Sequence, residues 1–313
     1  MPAVSVPDIS TLPTVTGLDG GGTVRPVRTV TTAPTGYEGS GFPVHRAFAG
    51  VAHAAIDPFI HMDQMGPVDY APGAPVGTPW HPHRGFETVT YMIDGKMAHR
   101  DTEGGGGLIA DGDTQWMTAG SGLLHIETPP DDFVASGGRS HGIQLWVNLP
   151  AADKMTTPRY QSIGAGEVTL VGSADGRALV RIIAGDIGGA RGPGSTHTPI
   201  ALAHVTIEPG GSLVLPWPAA YNALVYGLTG RGAVGDEGHP LEGGQLATFA
   251  DGDAIRVDGP PAEAEQPFDA LVLGGRPIRE PVVQYGPFVM NTKEEIVQAF
   301  EDYEAGRLGV APD

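Results

Sequence analysis

The chain of 313 residues contains no cysteine. Disulfides, thiolate metal ligation and cysteine nucleophiles are excluded together by that one absence. Positive charge is also scarce: 18 Lys and Arg stand against 36 Asp and Glu, a formal net charge of −18. Nucleic acid and anionic lipid surfaces both select clustered Lys and Arg, so neither is an expected direct partner. Nowhere do about 18 uncharged apolar residues run together, so no membrane-spanning helix is expected. The opening MPAVSVPDISTLPTV lacks both the basic start and the apolar stretch of a secretory signal. A soluble, cytoplasmic protein is the expectation.

What the chain does have is punctuation: 48 Gly and 29 Pro, with only 7% aromatic residues. Such a chain turns often and has little room for long helices, which favours an all-β architecture. Short apolar runs (FETVTYMI, LLHIE, GIQLWVNL, ALVRIIAG, IALAHVTI, SLVLPW, AIRV, ALVLGG) recur between DG, GG and PG turn signals and read as strands of a sandwich or barrel. DPFIHMD is equally compatible with strand and loop. In NTKEEIVQAFEDYEAGRLG, Thr292 and Glu295 form a capping box ahead of apolar Ile296, Ala299, Phe300 and Tyr303, and Gly306 supplies a left-handed stop. One amphipathic helix from Lys293 to about Ala305 is predicted there.

The sequence also repeats itself. EGGGGLIADGD parallels EGGQLATFADGD, and FETVTYMIDGKM at 86 to 97 parallels YNALVYGLTGRG at 221 to 232. Two similar β-domains in tandem explain both blocks. The expected organisation is a loose arm over residues 1–22, a first domain over 23–160 and a second over 161–313.

Eleven histidines are present, and two of them, His81 and His83, form HPH before a predicted strand. Side chains alternate along a strand, so His81, His83 and Glu87 have one parity, as do His125 and Glu127 in LLHIE. Two such strands facing each other in a small barrel would bring three imidazoles and a carboxylate to one point, a four-ligand metal site. The repeat alignment puts Pro216, Pro218, Asn222, Glu265 and Pro267 opposite His81, His83, Glu87, His125 and Glu127. The second domain is therefore expected to lack the site. Imidazole and carboxylate without thiolate suit Fe, Cu, Ni, Mn, Co or Zn, preferably with open coordination positions. His45, His53, His61, His99, His141, His197, His204 and His239 are expected to include several that are simply solvated or hydrogen-bonded in the core. Pro82, Gly85, Gly120 and Gly122 read as backbone shapers near the metal. Trp80, Phe86, Trp116 and Met117 are candidates for an aromatic pocket wall or for ordinary core. EGGGG and GGARGPGS lack the GK[ST] ending of a phosphate loop, and Asp111 and Asp113 read as turn formers.

HPHRGFETVTY, DTQWMTAGSGLLHIETP, QLWVNLP and EPVVQYGPFVMNTKEEIVQAFEDY resemble the pirin family over residues 24 to 308. Thr118 in TAGSGLLH, where broader cupins usually carry a proline, agrees with pirins. The resemblance implies a bicupin, two double-stranded β-helix barrels with a short C-terminal helix. It implies one divalent ion, most often Fe(II), held in the first barrel by His81, His83, His125 and Glu127. Glu87, a ligand in many other cupins, is placed behind these four. The implied reaction is ring opening of a flavonol such as quercetin by O2 with release of carbon monoxide, in which Glu127 is the candidate base and Glu87 the fallback. The same resemblance allows a non-enzymatic, metal-dependent redox sensor that binds a regulatory protein. A sugar isomerase is a third, weaker class. Substrate, metal and oligomeric state are left open.

Overall fold

The computed structural model describes residues 4–16 and 22–311. Among them, two seven-stranded and two four-stranded antiparallel sheets dominate. One sheet of each size forms each barrel. The larger sheet of the first barrel runs, in spatial order, Arg159–Ile163, Thr114–Thr118, Phe86–Asp94, Gly138–Asn148, Phe59–Tyr70, Phe42–Arg46 and Thr35–Glu38. DPFIHMD thus opens a twelve-residue strand, Phe59–Tyr70. Its smaller sheet runs His81–His83, Leu123–Thr128, Met97–Asp101 and Gly106–Ile109.

Strands such as Phe86–Asp94 and Ile200–Ile207 are apolar along most of their length because both faces are covered. One face lines a barrel, and the other meets the neighbouring barrel. Val89, Tyr91, Trp116 and Leu145 pack there with Leu202, Leu224, Tyr226 and Leu271 in one continuous core. Polar contacts fix the docking: Tyr226 donates to Gln64 Oε1 at 2.8 Å, and Tyr91 Oη lies 2.8 Å from His204 Nδ1. The interior of the second barrel is filled by aliphatic side chains, among them Leu213, Leu215, Ile255 and Val257.

Both ends of the chain cross over. Val27–Thr32 pairs with Gln245–Phe249 at the edge of the second barrel's large sheet. Part of the expected loose arm is anchored to the same barrel: Ile9–Thr11 forms a 3-10 turn, Thr14 bridges Gly172, and Val15 is buried. The remainder of the arm, residues 1–3 and 17–21, lies outside the described residues. In the other direction, the hairpin Val283–Tyr285/Phe288–Met290 and the helix Lys293–Glu304 return to the first barrel. Phe288, Met290, Ile296 and Ala299 pack with Leu124. The helix has the predicted cap, with Thr292 N donating to Glu295 Oε2 at 2.9 Å and Glu295 N donating to Thr292 Oγ1 at 3.2 Å. The boundaries 23–160 and 161–313 cut across this exchange of ends.

Candidate metal centre

His81–His83 is an edge strand, where Pro82 costs no ladder hydrogen bond. It pairs with Leu123–Thr128 so that His81 lies opposite His125. The next strand inward, Met97–Asp101, sets His99 opposite Glu127 and Asp101 opposite His125. One face of the small sheet therefore carries His81, His83, His125, Glu127, His99 and Asp101 together.

The rings of His81 and His125 are 4.2 Å apart between centroids, and each is 4.8 Å from His83. One nitrogen from each of the three lies within 4.8 Å of the others. His81 Nδ1–H donates to the Pro79 carbonyl at 2.8 Å, and His83 Nδ1–H donates to the Pro287 carbonyl at 3.1 Å. Those bonds select the tautomer that leaves Nε2 with a lone pair for a cation. The second carbonyl comes from the returning C-terminal hairpin. Burial, reinforced by the neighbouring imidazoles, holds His83 and His125 well below the ordinary histidine pKa, so both are neutral donors. His125 Nε2 is buried with no hydrogen-bond partner. A metal ion would satisfy that lone pair, and the donor set fits one.

Glu127 belongs to a second cluster, with His99 and His125, also within 4.8 Å of one another. The carboxylate does not join His81 and His83 in a single set at that distance, although all three line one cavity. Three neutral donors hold it: Thr90 Oγ1 at 2.8 Å and Gln115 Nε2 at 2.5 Å on Oε1, and Gln144 Nε2 at 3.0 Å on Oε2. His99 Nδ1 approaches His125 Nδ1 at 3.4 Å, while His99 Nε2 faces Asp101 Oδ2 at 3.3 Å. His99 was expected among the ordinary histidines. Its signal was the parity of His99 and Asp101 in MAHRD, which matches that of His125 and Glu127.

Glu87 lies elsewhere, and the single parity expected over 81–87 does not hold. Gly85 has φ +87°, and a Cβ there would run into the Val289 carbonyl. At this glycine the chain leaves the small sheet for the large one, which resets the alternation. Thr88 and Thr90 then face the barrel interior, while Glu87 shares the outer face with Val89 and Tyr91. Its Oε1 accepts from Thr118 Oγ1 at 2.7 Å, and burial raises its pKa. It does not line the cavity that holds the imidazoles. Neither metal support nor the fallback base role fits that position.

The cavity measures about 460 Å³. Trp146, unassigned from sequence, walls it and stands 5.2 Å from His83 between ring centroids. Phe86 stacks behind, 4.3 Å from Trp146 and 5.0 Å from His83. Trp116 belongs to the core between the barrels, Met117 packs with Ala119 and Leu123, and Trp80 packs under the C-terminal helix. In the second barrel, Ser212–Pro216 pairs with Ala254–Asp258 as the HPH strand pairs with Leu123–Thr128. The buried side chains of that pair are aliphatic, Leu213, Leu215, Ile255 and Val257 among them, not imidazoles or carboxylates. Glu265 and Pro267 sit in a loop beyond, because the two ADGD turns are not equivalent: the first precedes the strand Thr114–Thr118, whereas the second follows that strand's counterpart, Gln245–Phe249.

Comparison with known proteins gives a consistent result. The family model of pirin matches residues 41–147, and that of the pirin C-terminal cupin domain matches residues 202–309. A Pseudomonas aeruginosa protein provisionally named a quercetin 2,3-dioxygenase is 44% identical over 274 residues, 87% of this chain and 94% of that protein. Pirin of Homo sapiens is 37% identical over 275 residues, 87% of this chain and 90% of its own length. The crystal structure of a quercetin 2,3-dioxygenase from Acinetobacter baumannii superposes with a TM-score of 0.85 at 36% identity, covering 92% of this chain and 99% of that one.

Proposed function

The chain belongs to the pirin family, and on that premise we propose that it holds one divalent ion, Fe(II) foremost, on His81, His83, His125 and Glu127 and opens a flavonol such as quercetin with O2. The observation that carries the reading is the meeting of three imidazoles, two of them (His81 and His83) lining an aromatic-walled cavity and the third (His125) buried beside them with an unpartnered Nε2. When bound, the ion supplies Lewis acidity toward a substrate hydroxyl and electronic contact with O2.

The protein's own groups do the rest. Trp146 offers a flat face to an aromatic substrate and excludes water from that side. Glu127 is the base for the flavonol 3-hydroxyl. A carboxylate has about four lone-pair sites; the amides of Gln115 and Gln144 take two, and the single Thr90 hydroxyl proton is shared between Glu127 Oε1 and Gln144 Oε1. The sites that are left can take the proton or the ion, and the amide donors fix where they point. In the balanced reaction the C2–C3 and C3–C4 bonds break, C3 leaves as carbon monoxide, and O2 takes up the electrons those carbons lose.

The test is aerobic turnover of the iron-loaded protein, read by loss of flavonol absorbance and evolution of carbon monoxide. His125→Ala and Glu127→Gln should each lose at least about 100-fold. Rates unchanged in both variants would overturn the reading. Full metal occupancy without turnover of any flavonol would replace it with the family's metal-dependent, partner-binding role.

A further inference from the structure

A row of inward-facing polar residues crosses the large sheet of the first barrel. Thr90, Gln144, Asp63 and Arg46 are successive cross-strand neighbours. The first two hold Glu127 and belong to the reaction floor. Asp63 and Arg46 lie one and two strands farther out, at about 4.8 Å per strand, and both line the same cavity. Asp63 is 2% exposed, yet neither of its carboxylate oxygens has a hydrogen-bond partner. His61 Nε2 stands 3.2 Å from Oδ2 and Arg46 Nη1 at 3.7 Å, ion contacts without hydrogen-bond alignment. A buried carboxylate with open lone pairs is costly unless a donor reaches it. Nothing in the metal chemistry uses it.

We propose that Asp63, backed by His61 and Arg46, is a subsite for the ring hydroxyls of a catechol-bearing aromatic substrate. This rests on the flavonol reading above. Trp146 lies 5.2 Å from both His83 and His61, and all three line the cavity with Asp63. A flavonol whose 3-hydroxyl sits at the imidazoles and whose C2 ring runs along that indole points the ring's outer edge toward Asp63. With the 3-hydroxyl at the imidazoles, vicinal hydroxyls on that ring donate to the two unpartnered oxygens of Asp63 once the buried carboxylate turns into the cavity it lines. Charge selects the same class. The Arg46 guanidinium is already paired with Glu38 at 2.5 Å and faces Asp63. A carboxylate on the substrate's outer ring would therefore face Asp63 and Glu38 across a single guanidinium, whereas a neutral phenol brings donors to acceptors.

The experiment is equilibrium binding under nitrogen to Fe(II)-loaded protein of three flavonols that differ only in that ring: quercetin with two hydroxyls, kaempferol with one and galangin with none. Quercetin should bind about tenfold or more tighter than galangin, with kaempferol between, since each hydrogen bond to a charged acceptor carries a factor of that order. Asp63→Asn should erase the ranking and leave galangin affinity within about twofold. Equal affinities in the unaltered protein would overturn the subsite, and that comparison needs no variant to fold. A ranking that survives Asp63→Asn would overturn it as well. Ranked binding without turnover in air would uphold the subsite and sink the dioxygenase, so the two readings fail separately.

Discussion

Lys154 is 1% exposed and lies directly behind the HPH turn. Its ammonium donates to the Gly85 carbonyl at 2.9 Å, Asn148 Oδ1 at 2.8 Å and the Val289 carbonyl at 2.9 Å. It therefore ties the glycine that redirects the chain to the hairpin whose Pro287 carbonyl orients His83. Lys154→Met keeps volume and removes all three donors. Stranding buried acceptors costs about 1–3 kcal/mol each, partly relieved by relaxation, so a loss of about 3–4 kcal/mol at pH 7.5 is expected. The pH dependence has a definite sign. Burial lowers the Lys154 pKa from 10.5 to about 8, so folding releases a proton between those values. The group's contribution is full above 10.5 and is lost as pH falls through about 8. The stability gap between unaltered protein and variant should widen from pH 7.5 to 10 by up to about 3 kcal/mol at about 1.4 kcal/mol per pH unit. Urea unfolding of both proteins across that range measures it, and titration with a divalent ion should show weaker metal binding by the variant at pH 7.5. A variant as stable as the parent, or a gap flat with pH, would refute the reasoning.

His99→Phe, which keeps the ring but removes the contact to His125 Nδ1, should weaken metal affinity about 10- to 100-fold with little change in fold, read by calorimetric titration and circular dichroism. Glu87→Gln should leave turnover within about twofold. Because burial raises the Glu87 pKa, the parent loses stability as pH rises from the ordinary carboxylate range through the raised value, so the variant should gain on the parent across that rise and hold a constant gap above it in thermal melts. Removing the ion with a chelator should lower the melting temperature, and restoring it at 100 times its dissociation constant should recover about 2.7 kcal/mol.

How much of this could be read from the sequence follows the range of the interactions involved. The shared face of His81, His83, His125 and Glu127 was legible because their spacing is a property of two short strands, although Glu127 groups with His99 and not with the HPH pair, and the helix after Thr292 was legible because its cap is local. Glu87 was misplaced because strand parity presumes an unbroken strand, and the positive φ of Gly85 that breaks it depends on contact with Val289, some 200 residues on. Glu265 and Pro267 were misaligned because a four-residue turn match does not say which pair of strands the turn joins, and the two ADGD turns join different pairs. Gln144 and Trp146 sit in an apolar strand where a polar or aromatic residue is as easily an outer-face position. Only the register against Thr90 and Asp63 shows that Gln144 faces the cavity. The exchanged termini depend on pairings such as Val27 with Phe249, which no local pattern encodes.

The bond from His83 to Pro287 spans 204 positions along the chain. On the ribosome, at about 5–20 residues per second, the histidine emerges on the order of 10–40 s before the carbonyl that aims it. The nascent first barrel can collapse in that interval, but its third imidazole is not yet steered. On the proposed metal reading, an ion met before Pro287 emerges would find His83 without the hydrogen bond that orients it.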